Sequence, residues 1–353
     1  MEKRTLISIL TWNDHDETIA CLRSLENNLP SGSRVLVIDN GSDVPFDPSD
    51  MSGAMELEHV RLDENRGFAG GQNVGIQYAI NHGFDYVWLL NNDCIVPSGT
   101  LEALICALEG NEMVGAVSPM IRRDNSNGPI LFQGAWFDWS VLETYFSKSS
   151  EEAVLLQTKQ PNSVFLSGAA LLFKIEAIRN AGLLDERYFA YFEDNEISHR
   201  LSCKGWLNRI CFDACVIHNT HSEWLTHKPY YHYLMSRNGY IFYLENTPNE
   251  YRKGLSRRLI ARTIRVAAEL NAFGNKASAH AALQGIGDAL KKKYGAYVPD
   301  NRLTLINRLV LWHPYFLATA IEFGVVGVLK KIWGMSKSAL TAGVRRIKGL
   351  SKN

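Results

Sequence analysis

No Cys-x-x-Cys pair occurs among the six cysteines at positions 21, 94, 106, 203, 211 and 215. In a reducing compartment they read as small core residues. Net charge is also missing: 37 Lys and Arg balance 37 Asp and Glu, so nothing draws the chain to nucleic acid as a general partner. The start, Met1-Glu2-Lys3-Arg4, has no long apolar region behind it and runs straight into strand-like residues, an arrangement expected of a cytoplasmic protein. Neither a Walker loop nor a Gly-x-Gly-x-x-Gly turn is present. Acids are absent after Glu322, whereas Lys330, Lys331, Lys337, Arg345, Arg346, Lys348 and Lys352 follow it. That balance favours an anionic membrane surface, although a solvated helix has the same composition. The apolar stretch 309–329 is interrupted by His313, Pro314 and Glu322, so a surface-lying helix is expected there rather than a span.

What is present is enough apolar material for one large or two medium domains: 46% of 353 residues. Residues 85–97 organise the reading. Asp85–Leu90 is too short for a helix core and ends abruptly in Asn91, Asn92 and Asp93, as a buried strand delivering polar groups to its tip would. Ligands bind at the carboxyl ends of strands in open α/β sheets, and a carboxylate with two amides suits Mg²⁺ or Mn²⁺ holding a diphosphate. Ser98 or Thr100 is placed to cap a helix through Leu101, Leu104, Ile105 and Leu108. A plain polar turn explains the same three residues.

Two more strands close on polar groups: Thr5–Thr11, running into Trp12-Asn13, and Arg34–Asp39, running into Asn40-Gly41-Ser42. With the helical pattern of Ile19, Leu22 and Leu25 between them, they open a parallel sheet whose polar ends share one side. The glycine-rich Asn65–Gly75 would let backbone approach a nucleotide, or simply form a turn. Residues 122–162 look irregular, a lid, a binding loop or plain disorder. Ser163–Lys174 reads as a strand broken by Gly168 and two alanines, small residues that mark close approach of another group. Glu193, Asp194 and Glu196 crowd the start of a helix carrying Ile197 and Leu201, and exceed what capping needs. A zinc set of His218, His221, His227 and His232 has no supporting spacing. From Lys228 onward helical periodicity replaces strands, which suggests a domain at 1–245 and a helical region at 246–353.

Taken together, Thr11-Trp12-Asn13, Asp39-Asn40-Gly41-Ser42, Asn65–Asn73, Asn91-Asn92-Asp93, Ser167-Gly168-Ala169, Glu193-Asp194-Asn195-Glu196 and Ile217-His218 resemble family 2 of the inverting GT-A glycosyltransferases, in particular bacterial rhamnosyltransferase-like members. The resemblance covers residues 4–245. It implies an α/β GT-A fold, a Rossmann-like mixed sheet flanked by helices, with a C-terminal helical region. By the same resemblance, Thr11, Asn13, Asp39, Asn65, Gly67, Phe68, Asn73, Asn91, Asn92 and Asp93 bind the nucleotide and donor sugar. Asp93 and His218 hold Mg²⁺ or Mn²⁺, Asp194 is the general base, and Gly168, Ala169, Glu193 and Arg237 face the acceptor or sugar. Asn91 stands where the family's metal motif has its first Asp, removing one anionic ligand.

The implied reaction transfers a sugar, foremost rhamnose from dTDP-rhamnose, to a lipid-linked or polysaccharide acceptor in surface glycan synthesis. It is placed at the inner face of the plasma membrane. UDP-hexose or UDP-galactofuranose donors are alternatives, as is a non-catalytic sugar-nucleotide-binding module. A nucleotidyltransferase lacks its basic glycine-rich N-terminal loop here, and a processive synthase lacks its Gln-x-x-Arg-Trp motif.

Overall fold

A computed structural model of the chain describes residues 3–26, 28–51, 57–218, 224–300 and 310–324. The chain runs β1 (Thr5–Thr11), α1 (His15–Leu25), β2 (Ser33–Asp39), β3 (Leu57–Arg61), α2 (Gly67–Asn81), β4 (Tyr86–Asn91), β5 (Cys94–Ile95), α3 (Thr100–Glu109) and β6 (Val114–Arg122). There follow β7 (Ile130–Phe132), β8 (Ala135–Asp138), β9 (Glu143–Phe146), α4 (Ser150–Lys159), β10 (Val164–Phe165), β11 (Ala170–Lys174), α5 (Ile175–Ala181), α6 (Glu193–Cys203) and β12 (Leu207–His218). Helices α7 (Pro229–Asn246), α8 (Leu255–Phe273) and α9 (Lys276–Leu290) come last among these.

The main sheet has the order β3-β2-β1-β4-β11-β6-β12-β5, with β7 beside β6. The first four strands in that order are parallel, and β11 runs antiparallel between β4 and β6. Register places Thr11 opposite Asp39 and Leu10 opposite Asn91, so three polar strand ends meet on one edge. Ile7, Ile9, Val35, Val37, Trp88 and Leu90 line one core cluster with Leu22 and Leu25 of α1 and Leu101, Leu104 and Leu108 of α3. Each such burial contributes roughly 1.5–3 kcal/mol, which fixes the register because a one-residue slip would turn these side chains to the other face.

Helix α2 packs against β1 at close range. A Cβ on Gly71 would come within 2.4 Å of Leu10, and one on Gly75 within 2.0 Å of Ser8 Oγ. The Ser8 hydroxyl donates to Gln72 Oε1 at 2.7 Å. Gly71 and Gly75 therefore serve helix-on-sheet packing, a correction to the reading of this stretch as backbone open to a nucleotide. The helix begins at Gly67, well before the apolar residues that signalled it.

Residues 122–162 are ordered rather than irregular. Strands β10, β8 and β9 form a second small sheet, where Phe165 meets Phe132 and Phe146 edge-on, and α4 follows with Ser149 as its cap. Strands of two to four residues are too short to show a period in sequence. The expected cap of α3 also differs: Gly99, at φ 81°, is the cap residue with no side-chain bond, and the Thr100 hydroxyl donates to Cys215 O at 3.1 Å.

Among the described residues, the sheet-bearing unit extends through His218 and takes in 294–296, and the helical unit begins at Trp224. The division falls ahead of the expected 245/246 boundary, because α7 packs on α9. Gly285 makes that approach possible: a Cβ there would sit 2.3 Å from Tyr233 O. Within the helical unit, Ile264, Ala267, Leu270, Ala279, Leu283 and Ala318 share a core. No helix of the described residues is long and apolar enough to cross a membrane.

Candidate active site

The turn between β4 and β5 carries Asn92 and Asp93. Antiparallel pairing of β5 with β12 sets His218 opposite Cys94 and so brings the imidazole to Asp93 across 125 residues of chain. His218 Nε2 lies 3.0 Å from each Asp93 carboxylate oxygen, with its hydrogen bond to Oδ2. Oδ1 is buried and has no hydrogen-bond partner. Among the described residues, Asp93, Cys94 and His218 form the one group of three with ligand atoms within 4.8 Å of one another. Burial, reinforced by Asp93, holds the Cys94 thiol well above its usual range, and its Sγ donates to Ala169 O at 3.7 Å. Cys94 is therefore a protonated core residue, whereas the carboxylate of Asp93 and the imidazole of His218 are donors that fit a divalent ion. Of the imagined zinc set, His221 lies outside the described residues, and burial pushes His232 down to about 4.

Asp194 stands in the first turn of α6. Its Oδ2 accepts the Gly168 N–H at 3.1 Å and its Oδ1 the Asn195 N–H at 2.8 Å. Burial outweighs both bonds and pushes the carboxyl up to about 6. Glu193, only 5% exposed, is raised well above the usual carboxylate range by burial and by the neighbouring Asp194, and its Oε2 has no partner. A Cβ on Gly168 would lie 3.3 Å from Asp194 Oδ2, so the close approach expected at this glycine is that of the Asp194 side chain. Ala169 completes the connection, since its carbonyl accepts the Asn91 N–H at 2.9 Å. Residues 168–169 thus tie the Asp194 carboxylate on one side to the Asp93 turn on the other.

The backbone into α6 is held away from its easy conformations: Phe189, Tyr191 and Phe192 have φ of 66°, 65° and 74°. Such positions cost about 1–3 kcal/mol each and persist only where surrounding contacts over-determine them. Gly67, at φ 72°, packs against this segment, where an added Cβ would sit 2.3 Å from Phe189 O. Asn73 holds it too, accepting the Leu184 N–H at 2.9 Å while its amide donates to Leu184 O and Glu186 Oε1. Asn208 fastens the other side of α6 by donating to Ser198 O at 2.7 Å and to Val164 O at 3.0 Å.

The residues expected on the donor side separate into two groups. Asn13 lines a cleft of about 380 Å³ with Thr11, Asp14, His15 and the loop Ser42–Phe46. Reciprocal bonds between Asn13 and Asp43, 2.7 and 3.1 Å long, join its two walls. Asp39 is wholly buried: Ser42 N–H donates to Oδ1, while Phe46 N–H and Arg61 donate to Oδ2. Those bonds hold its carboxyl below the usual range against the opposing effect of burial. Asp39 therefore shapes the cleft loop from behind, and Asn73, equally inward, shapes the segment leading to α6. Asn65 accepts the Gly67 N–H at 2.8 Å and, through Asn40, joins the β2 end to α2; Phe68 is half-buried beside it.

Asp14 escaped the sequence reading. It occupies the cap position of α1 without capping it, lies in the cleft, and is raised by burial and then by Asp93 nearby, against a hydrogen bond from Asn92. Asn92 also donates to Thr18 Oγ1 at 3.1 Å, and Thr18 in turn donates to Thr11 Oγ1 at 2.8 Å. An Asp directly after the polar end of the first strand, ahead of a helical pattern, was the available signal. Arg237, named as an acceptor contact, is fully buried in α7, with its guanidinium 5.2 Å from the Tyr233 ring and Nε donating to Asn238 Oδ1 at 2.9 Å. It offers no exposed surface to an acceptor.

Residues 7–182 match the model of Glycosyl transferase family 2. The chain is 27% identical over 212 residues to N-acetylglucosaminyl-diphospho-decaprenol L-rhamnosyltransferase of Mycobacterium tuberculosis, a match covering 52% of this chain and 66% of that protein. It is 23% identical over 221 residues to dTDP-rhamnosyl transferase RfbF of Shigella flexneri, covering 60% and 71%. The match thus spans just under two thirds of the mycobacterial relative. Among solved structures, the mannosyltransferase PcManGT from Pyrobaculum calidifontis, in complex with GDP-Man and Mn²⁺, aligns with a TM-score of 0.51 at 15% identity, covering 95% of this chain and 88% of that one. GalNAc-T7 with UDP, GalNAc and Mn²⁺ aligns with a TM-score of 0.56 at 16% identity, covering 81% and 55%. At such identities the likeness speaks for the fold alone. With its strand-end site, mixed sheet and matching domain, this chain belongs to glycosyl transferase family 2 and has the GT-A fold.

Proposed function

We propose that the protein is an inverting, metal-assisted transferase that moves a sugar, foremost rhamnose from dTDP-rhamnose, onto a lipid-linked or polysaccharide acceptor at the inner face of the plasma membrane. One observation carries the reading: a carboxylate raised to about 6 is tied through Gly168 and Ala169 to the turn bearing the Asp93–His218 pair. A sugar hydroxyl is a poor nucleophile, and Asp194 removes its proton as the new glycosidic bond forms. Ionised at neutral pH yet close to its midpoint, this carboxylate is basic enough to do so. A single displacement by the acceptor oxygen inverts the anomeric carbon and needs no second carboxylate nucleophile. Asp93 and His218 would hold Mg²⁺ or Mn²⁺, which supplies charge stabilisation to the departing diphosphate. The cleft at Asn13 and Ser42–Phe46 takes the nucleoside, and Gly168, Ala169 and Glu193 border the acceptor sugar.

The rhamnosyltransferase relatives support rhamnose as the donor sugar; UDP-hexose and UDP-galactofuranose are the competing donors. Screening nucleotide-sugars for hydrolysis and thermal stabilisation, with Mn²⁺ and with EDTA, tests both donor and metal. Stabilisation by dTDP-rhamnose that EDTA removes is expected. Equal responses to every nucleotide, with or without metal, would refute the reading. A non-catalytic module predicts stabilisation with no turnover, whereas transfer that an Asp194→Asn variant keeps would remove Asp194 as the base.

A further inference from the structure

We infer that the helix at residues 314–324, with Trp312 just before it, presents an aromatic face that inserts into the headgroup region of an anionic membrane. The inference rests on the membrane-surface placement proposed above and identifies the surface that makes the contact. This stretch has two opposite faces. Leu311, Leu317, Ala318 and Ile321 pack into the core of the helical unit. Tyr315 and Phe316 point away from these residues and are 57% and 60% exposed, and Trp312, just before the helix, is 74% exposed. The stretch therefore does not lie wholly on a membrane, as its apolar sequence suggested. Half of it is anchored in protein.

Charge singles out the occupant. Glu322 is the sole charged residue between 310 and 324, and it pairs with Arg265. The aromatic face thus carries no charge of its own. Aromatic side chains with a polar edge favour the membrane–water interface, where ring and headgroup are both accommodated. In the sequence, residues 325–353 then carry seven Lys and Arg and no acid, a composition that attracts anionic headgroups. A protein partner would account for the exposed rings but not for the uncompensated positive charge that follows them in the sequence.

The test uses the full chain and its Trp312→Ser/Tyr315→Ser/Phe316→Ser variant in flotation with mixed phosphatidylcholine–phosphatidylglycerol vesicles and with pure phosphatidylcholine vesicles. The unaltered chain is expected to float with the mixed vesicles, and the variant to partition about a hundredfold more weakly. Hydrolysis of the nucleotide-sugar in solution, measured in parallel, is expected to be the same for both. Loss of hydrolysis in the unaltered chain would count against the catalytic reading and leave the vesicle result standing. A Trp312→Phe variant is expected to float normally, while brominated lipid quenches its fluorescence less than that of the unaltered chain. Equal flotation of the triple variant overturns the inference. So does binding that appears only after residues 325–353 are removed, since that segment would then be what covers the face. Concentration-dependent dimers that the triple variant abolishes, with no vesicle binding, also overturn it by making a second copy the occupant.

Discussion

Replacing Asp194 with Asn should separate the cost of the proposed base from its use. In the folded chain the carboxyl titrates at about 6, against a usual value of 3.8. Between those values the unfolded chain loses a proton that the folded chain keeps. Stability of the unaltered protein therefore falls as pH rises through this window and is level above it. The difference corresponds to about 3 kcal/mol, reduced to about 1–3 kcal/mol by solvent screening at a half-buried group. An amide cannot accept both N–H groups now satisfied by Oδ1 and Oδ2, so the substitution also loses about 1–2 kcal/mol at every pH. That loss does not vary with pH and drops out of the comparison. Denaturant unfolding of both proteins from pH 4 to pH 8, followed by a probe in the sheet-bearing unit, should show the variant gaining about 1–3 kcal/mol relative to the unaltered chain as pH rises. Transfer should fall by at least about a hundredfold, with nucleotide affinity kept. Parallel stability curves, or transfer that survives, would refute the assignment of a strained, catalytic carboxylate.

The same ionisation predicts that kcat/KM rises with pH and levels off above about 6; an acid limb near 4 would point to another base. Substituting Gly168 with Val places methyl groups against the Asp194 carboxylate, already 3.3 Å from an added Cβ, and should lower kcat about a hundredfold with little change in donor KM. His218→Ala should weaken Mn²⁺ binding about 10–100-fold by electron paramagnetic resonance, and Asn91→Asp should tighten it about tenfold, with unchanged affinity in both removing the proposed metal site. Gly67→Ala should destabilise by more than about 2 kcal/mol in thermal unfolding, since φ 72° and the 2.3 Å approach to Phe189 O both oppose a Cβ.

Much of this site could be read from the chain alone. Thr5–Thr11 is a strand with the bounds expected, and the β2 and β4 segments differ by a residue, because unbroken apolar runs ending in Asp or Asn allow little else. The polar strand ends, the acidic start of α6 and the late histidine were visible because each interrupts an apolar pattern. Composition did not reveal what Gly71 and Gly75 do, since a glycine admitting a phosphate and one admitting Leu10 or Ser8 look the same in sequence. Nor could it show that Asp39 and Asn73 turn inward, or that Phe189, Tyr191 and Phe192 hold left-handed backbone without a glycine among them.

The sequence by itself determined which groups are available: a carboxylate and a histidine for a metal, another carboxylate for a proton, and a run of strands to carry them. Tertiary structure alone decided their relations. Pairing of β5 with β12 puts His218 3.0 Å from Asp93, and the two peptide groups at Gly168 and Ala169 join Asp194 to the Asn91 strand end. Local propensity reaches only a few residues, whereas these contacts are set by sheet register between segments far apart in the chain, and only the buried core fixes that register.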